Sequence, residues 1–340
     1  MGVARNGSGE GRPRVLLRSC VGMAVAAALL VGCGGSDSES TAAKTTVTTS
    51  EGEFTPVTIE HVFGTTEITE RPQRIVSLDP QWTDVLLAMG ETPVGFVSSP
   101  QFGERGTFPW QEDLLANSEP ITYTDGVPVE AVAKLRPDLV LATYALESKA
   151  DYEKLAGQFD VVASPTEEQV QKWEDLTDLT GKILGEPAAA ERVVEKVTKT
   201  VDSVVSDLPG LKGKTIAFAN YYAPGNQLIV LSDPDDGANV LFSRLGLELA
   251  PGILALGEGV NGRAELSLEQ IDALDGDILL ALTNGTDTAD IVGWDTLPAV
   301  EAGTAKVLDT PTAWALNSPS PLSVPWAIEQ IRPTLASAAN

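Results

Sequence analysis

Few residues of this chain can do covalent chemistry. The cysteines are Cys20 and Cys33, and the single histidine is His61. A Ser-His-Asp hydrolase needs an imidazole beside its serine, and zinc or manganese sites usually draw on imidazole ligands, so His61 would have to serve alone. It lies in an alternating stretch and reads as an ordinary strand residue. No Gly-x-Ser-x-Gly elbow occurs that could expose a nucleophile. The run GEGVNG at Gly257 to Gly262 fits G-x-G-x-x-G, with Asp277 at a suitable distance for a ribose contact. Its context fails: Glu258 would repel a pyrophosphate, and the next helix begins only at Ser267. DPDDG at Asp233 to Gly237 is one residue short of calcium-loop spacing and reads as a helix cap. The chain is therefore expected to bind rather than to catalyse, with no cofactor and no directly held metal.

Aromatic residues make up only 6% of the chain, yet many fall where strands are expected to end: Trp82, Phe102, Phe108, Trp110, Tyr123, Tyr144, Tyr221, Tyr222 and Trp314. In an open α/β sheet ligands bind beyond the carboxyl ends of the strands, so these residues are expected to surround one cleft and to offer a stacking surface for a bulky ligand. Arg263 is the candidate charge contact in that cleft.

The elements that would carry them come in repeats. VEAVAKLRPDLVLAT, from Val129, and LEQIDALDGDILLAL, from Leu268, align Glu130 with Glu269, Leu135 with Leu274 and Asp138 with Asp277. In each, apolar residues at helical spacing give way after a two-residue break to a short continuous apolar run, which reads as helix, turn and buried strand. Pro137 and Gly276 mark the breaks. Ser267 and Gln270 have capping-box spacing. Glu130 and Glu269 sit in first turns, where a carboxylate complements the helix dipole. A looser echo, strand, Asp-Pro turn and helix, begins at Ile75 and again at Ile229. The spacing is too long for a solenoid, so two α/β lobes with mainly parallel sheets are expected.

The boundaries follow from composition. Arg12, Arg14 and Arg18 precede an apolar run ending in Leu30-Val31-Gly32-Cys33, which reads as a secretory signal over residues 1–32. Residues 33–54 are Gly-, Ser- and Thr-rich and read as a disordered tether. An N-terminal lobe is expected over 55–165, linking helices over 166–208 with a break at Gly185-Glu186-Pro187, and a C-terminal lobe over 209–340. The chain carries a net charge of −25. Without residues 1–32 it keeps 19 basic and 47 acidic side chains, or −28. That field repels nucleic acid and anionic lipid surfaces, which excludes both as partners.

Taken in order, GTTEITERPQRIVSL, GETPVGF, VEAVAKLRPDLVLA, LGEPAAAERV, LSLEQIDALDGDILL, LPAVEAGTAKVLD and the late Trp314 resemble the substrate-binding lipoproteins of iron-siderophore and cobalamin ABC importers. The resemblance covers Val57 to Leu335. It implies two Rossmann-like lobes joined by one long helix with the ligand between them, lipidation of Cys33, and a monomer held by its anchor at the extracytoplasmic face of the membrane. It further implies that Glu130 and Glu269 meet the permease. The ligand implied is a ferric siderophore, with cobalamin, haem or ferric iron bound through Tyr221 and Tyr222 as alternatives, and a lipid-anchored enzyme as the alternative from another class. Hydroxamate-binding relatives often carry an arginine where this chain has Thr124, which weakens the case for a strongly anionic ligand and favours a hydroxamate or mixed chelate.

Overall fold

A computed structural model describes residues 54–122, 126–168 and 170–340. The signal segment, Cys33 and Tyr123 lie outside the described residues. Phe54, assigned above to the end of the tether, packs against the first lobe and touches the Gly185 turn.

The N-terminal part opens with a hairpin, β1 (Val57–His61) and β2 (Gly64–Ile68), paired antiparallel, which places His61 in a strand as its alternating stretch implied. His61 is buried there and its Nε2 lies 3.1 Å from the Thr66 hydroxyl. Then follow β3 (Ile75–Ser77), α1 (Pro80–Ala88), β4 (Gly95–Val97), β5 (Glu119–Ile121), α2 (Val129–Leu135), β6 (Leu139–Leu141), α3 (Lys149–Ala156) and β7 (Val161–Val162). The strands form a wholly parallel sheet in the order β5-β4-β3-β6-β7. Its side chains alternate between two cores, as a sheet covered on both faces requires. Ile75, Leu139 and Leu141 pack with Trp82 and Leu86 of α1, whereas Val76 and Val140 pack with Val132 of α2 and Leu155 of α3. The order reverses between β3 and β6, which makes the carboxyl ends of these two strands the place for a ligand.

Two helices lead out of this lobe. The first, α4 (Trp173–Leu184), puts Leu176, Ile183 and Leu184 into the α1 core and ends on Gly185 at φ 71°, a left-handed cap suited to glycine. The second, α5 (Pro187–Asp207), starts on Pro187 and buries Val197, Val201 and Val204 in the C-terminal core. Its 21 residues span about 31 Å at 1.5 Å each. The two helices touch at Gly181, where an added Cβ would lie 2.7 Å from the Ala190 methyl, so only glycine allows the approach. Arg71 braces the turn from the first lobe, pairing with Glu91 and with Glu186 at 2.9 Å and donating to the Leu184 carbonyl.

The C-terminal lobe comprises β8 (Thr215–Tyr222), β9 (Gln227–Leu231), α6 (Gly237–Arg244), β10 (Glu248–Leu249), α7 (Pro251–Leu254), β11 (Arg263–Ser267), β12 (Ile278–Leu282), α8 (Pro298–Glu301), β13 (Ala305–Val307), α9 (Thr310–Asn317) and α10 (Ser323–Ala338). Its sheet is mixed. Strands β10, β12 and β13 run parallel to β8, but β9 turns back from β8 as a hairpin and β11 is antiparallel to β9. The strand-turn-helix echo at Ile229 is present as β9 and α6, but β9 runs antiparallel to both of its neighbours, whereas β3, to which it was likened, lies in a wholly parallel sheet. Tyr221 and Tyr222, expected in a loop, belong to β8 itself. The second copy of the long repeat also differs: Leu268 to Leu274 is a 3-10 turn broken at Gln270, and Ser267 makes no cap, its hydroxyl lying 3.4 Å from the Gln270 side chain.

Candidate functional site

A trough runs between the lobes. Its C-terminal-lobe end is a cavity of about 240 Å³ against β8, β9 and α9, lined by Phe218, Asn220, Ile229, Arg263, Trp314 and Asn317. The trough continues past Tyr144, Val260, Asn261 and Ser318. It then opens between Phe63, Thr143, Tyr144 and Glu168 of one lobe and Asn261 of the other, with a volume of about 640 Å³. The pieces adjoin one another, the first two at Arg263 and Trp314 and the last two at Tyr144 and Asn261, and the widest of them is within the range that holds a drug-sized molecule.

Both lobes supply the site through strand and helix ends. Thr143 and Tyr144 follow β6 at the reversal point of the first sheet. Asp79 lies across from them after β3, its Oδ1 capping α1 by accepting from the Gln81 and Trp82 amides at 2.8 and 3.2 Å. Its Oδ2 is buried without a hydrogen-bond partner. Burial pushes the Asp79 carboxyl up to about 6. Burial also lifts the Tyr144 hydroxyl above its ordinary value, with the Asp79 charge adding, so Tyr144 enters the trough as a neutral phenol.

Arg263 opens β11 and is fixed from three sides. Its Nη1 donates to Asp236 Oδ2 at 2.6 Å and to the Asn261 carbonyl at 3.0 Å, and its Nη2 to Asn317 Oδ1 at 3.2 Å. Asp236 is itself the cap of α6, its Oδ1 accepting from the Ala238 amide at 2.9 Å. Burial raises the Asp236 carboxyl above its usual range and the Arg263 charge draws it partway back. The loop before Arg263 is the GEGVNG run, whose Gly257, Gly259, Asn261 and Gly262 all have positive φ. An added Cβ on Gly259 would lie 2.0 Å from the Arg263 carbonyl oxygen. The glycines therefore serve a tight rim loop that aims Asn261 at Arg263.

Electrostatics set the chemistry. Arg263 is the one cation among the described residues lining the trough, and Asp236 neutralises it at close range. Glu147, Glu167, Glu168, Asp233, Asp235 and Glu258 line the rim. Such a space repels a multiply charged anion and accepts a neutral or cationic guest.

The aromatic set divides. Trp314, 38% exposed, faces the trough, and Phe102 and Phe108 meet it from the other lobe at 6.3 and 6.0 Å between centroids. Tyr144 lines the trough. Trp110 stands behind this wall, stacked on Phe108 at 4.7 Å. Trp82 is not at the cleft: it is fully buried on the sheet side of α1, its Nε1 donating to the Thr143 hydroxyl. Tyr221 is also buried, its hydroxyl donating to Asn226 Oδ1 at 2.9 Å, while Tyr222 points to the opposite face and is 50% exposed. Neighbours in a strand diverge, so the two hydroxyls are not brought together. Asn261 and Asn317, which sequence reasoning passed over, hold the cationic side chain. Glu130 and Glu269 are exposed at the starts of their helical turns, with no partner among the described residues.

A model of the periplasmic binding protein family matches residues 75–311. A probable siderophore-binding lipoprotein of Bacillus subtilis is 26% identical over 273 residues, covering 74% of this chain and 80% of its own. A periplasmic solute binding protein from Mycobacterium smegmatis has a similar structure, with a TM-score of 0.71 at 26% identity, over 84% of this chain and 99% of its own. Streptococcus pneumoniae PiaA, solved in complex with ferrichrome, gives 0.70 at 23% identity over 83% and 98%.

Proposed function

The chain belongs to the periplasmic binding protein family, and we propose that within it this protein is the lipid-anchored receptor of an ABC importer for a ferric siderophore of hydroxamate or mixed type. Three hydroxamates cancel the charge of ferric iron, whereas three catecholates leave a trianion. The observation that carries the choice is the pairing of Arg263 with Asp236 inside an acidic rim. A trianion would meet no uncompensated cation among the lining residues described, and one charge-assisted contact, worth about 1.5–3 kcal/mol, would not offset the field. A neutral chelate needs only the Trp314 face and polar contacts such as Tyr144 and Asn317 offer. The protein acts without catalysis and without a resident cofactor: it holds the chelate and delivers it to a permease, with Glu130 and Glu269 as the docking charges. The similar Bacillus subtilis lipoprotein and the ferrichrome complex of PiaA support the ligand class.

Titration of the purified chain with ferrichrome, a ferric tricatecholate, cobalamin and haem, read by quenching of tryptophan fluorescence, tests the assignment. Micromolar or tighter binding of ferrichrome and weak binding of the rest is the expected result. Tight binding of cobalamin alone overturns it. Fatty-acid labelling of cells expressing the chain and Cys33→Ser tests the anchor: label on the former and none on the latter.

A further inference from the structure

Behind the aromatic wall lies a carboxylate that the ligand cannot reach. Asp84 on α1 is 2% exposed. Among the described residues it faces no cation in a salt bridge, and it accepts instead from three neutral donors on two other segments. Trp110 Nε1 donates to its Oδ2 at 2.8 Å, Gln111 Nε2 donates to its Oδ1, and the Ser320 hydroxyl donates to its Oδ2 across 236 residues of sequence. Burying a carboxylate without a counter-ion costs several kcal/mol unless hydrogen bonds replace the water, and an acceptor with no hydrogen of its own is what three converging donors require. Each donor leads to the trough. Trp110 stacks on Phe108, with 10° between the rings, and Phe108 lies against Trp314. Gln111 Oε1 accepts from the Phe108 amide at 3.2 Å. Ser320 follows α9, the helix that carries Trp314 and the Arg263 partner Asn317, and α1 grips the same connection again where Gln81 Nε2 donates to the Pro319 carbonyl at 2.6 Å.

We propose that Asp84 is a positioning residue for the ligand: its carboxylate sets Trp110 and Ser320 together, and so fixes the packing of Phe108 against Trp314, the ring that faces the trough. The inference rests on the reading of the trough as a siderophore site, but the geometry it asserts does not need the ligand. An asparagine at this position keeps the size and loses one acceptor and the charge. Near-UV circular dichroism of ligand-free Asp84→Asn, compared with wild type at matched far-UV signal, reads the aromatic wall directly and is expected to lose intensity. Ferrichrome affinity is expected to fall about tenfold in Asp84→Asn and less than twofold when the same change is made in Trp110→Phe, because the two act in series. Equal loss in both backgrounds, or an unchanged near-UV spectrum, overturns the proposal. If Asp84→Asn does not fold, Trp110→Phe and Ser320→Ala replace it: their effects on the spectrum and on affinity combine to less than the sum if Asp84 couples them, and add if it does not. A wild type that binds no ferric hydroxamate sinks the functional reading alone, since the ligand-free spectra still decide the positioning role.

Discussion

Asp138 and Asp277, aligned by the internal repeat, do the same work in the two lobes. Each precedes a central strand and reaches sideways to the start of the next strand. Asp138 accepts from the Gln73 and Arg74 amides at 2.7 and 2.9 Å, just ahead of β3. Asp277 accepts from the Thr215 amide at 2.8 Å and its hydroxyl at 2.9 Å, at the first residue of β8, with Lys214 beside it. The repeat conserves a clamp on sheet register as well as a hydrophobic pattern.

The clamp has a pH signature. The Thr215 amide, foremost, and then Lys214 and the Thr215 hydroxyl hold the Asp277 carboxyl below its ordinary value. A depressed folded value means the unfolded chain takes up the proton first, so the stabilisation is complete above about pH 4 and is lost as pH falls through the folded value. Asp277→Ala is expected to lose about 1 kcal/mol at pH 7, the worth of a partly exposed hydrogen-bonded carboxylate. Urea denaturation at pH 7 and pH 3 checks this: the gap between the variant and wild type should shrink in acid.

Asp79 should behave in the opposite sense. Burial, its largest influence, raises the carboxyl to about 6, so the folded protein holds the proton more tightly than the unfolded chain. Its contribution is full below about pH 4 and is lost as pH rises through 6. Asparagine caps helices as well as aspartate does, so Asp79→Asn keeps the bonds to the Gln81 and Trp82 amides without the charge. The variant is expected to gain on wild type between pH 4.5 and pH 7.5 in denaturant midpoints. A constant difference across that range would show that the carboxylate is not strained.

What the sequence disclosed and what it hid follow from contact range. The β1–β2 hairpin, strands β3, β4, β6 and β7 of the first sheet and the break between α4 and α5 are written in short patterns of alternation, apolar runs and Gly-Pro punctuation, and the structure contains them, whereas the short β5, with Pro120 at its centre, carries no such pattern. The hairpin between β8 and β9 also had a signal, the Ala-Pro-Gly-Asn turn at Ala223 to Asn226, but the apolar run of β9 looked the same in either direction. Trp82 was misplaced because a tryptophan just after a strand-ending Asp-Pro turn can face the cleft or the sheet, and only the packing of α1 decides. The Asp84 to Ser320 bond joins opposite ends of the chain, beyond anything periodicity can show.

Charge reversal at Glu130 and Glu269 should separate delivery from capture. Both side chains are exposed and contact neither the trough nor each lobe's core, so Glu130→Lys with Glu269→Lys is expected to leave ferrichrome affinity within about twofold. If the pair docks the permease, uptake of labelled chelate by cells should fall by an order of magnitude or more, because like charges across an interface both slow encounter and weaken the complex. Unchanged uptake would remove both residues from the docking surface.

The final expectation concerns the ligand's charge. Arg263 is held to Asp236 and Asn317, and its positive charge is largely spent on the Asp236 carboxylate 2.6 Å away. Asp236→Asn removes that countercharge while keeping an oxygen for the Ala238 amide, so α6 retains its cap. The freed guanidinium then faces a trough whose only described lining cation it is. A ferric tricatecholate should gain about tenfold in affinity, equal to about 1.4 kcal/mol, whereas a neutral trihydroxamate, with no net charge to attract, should change by less than threefold. Raising the salt concentration should erase the gain at the exposed end of the trough, since a Debye length of about 8 Å at physiological ionic strength shortens to about 3 Å at 1 M. Calorimetric titration of both chelates at low and high salt makes the measurement. Equal gains for the two ligands would mean that Asp236 acts by shaping the site rather than by cancelling Arg263, and the charge-based choice of a hydroxamate would fall with it.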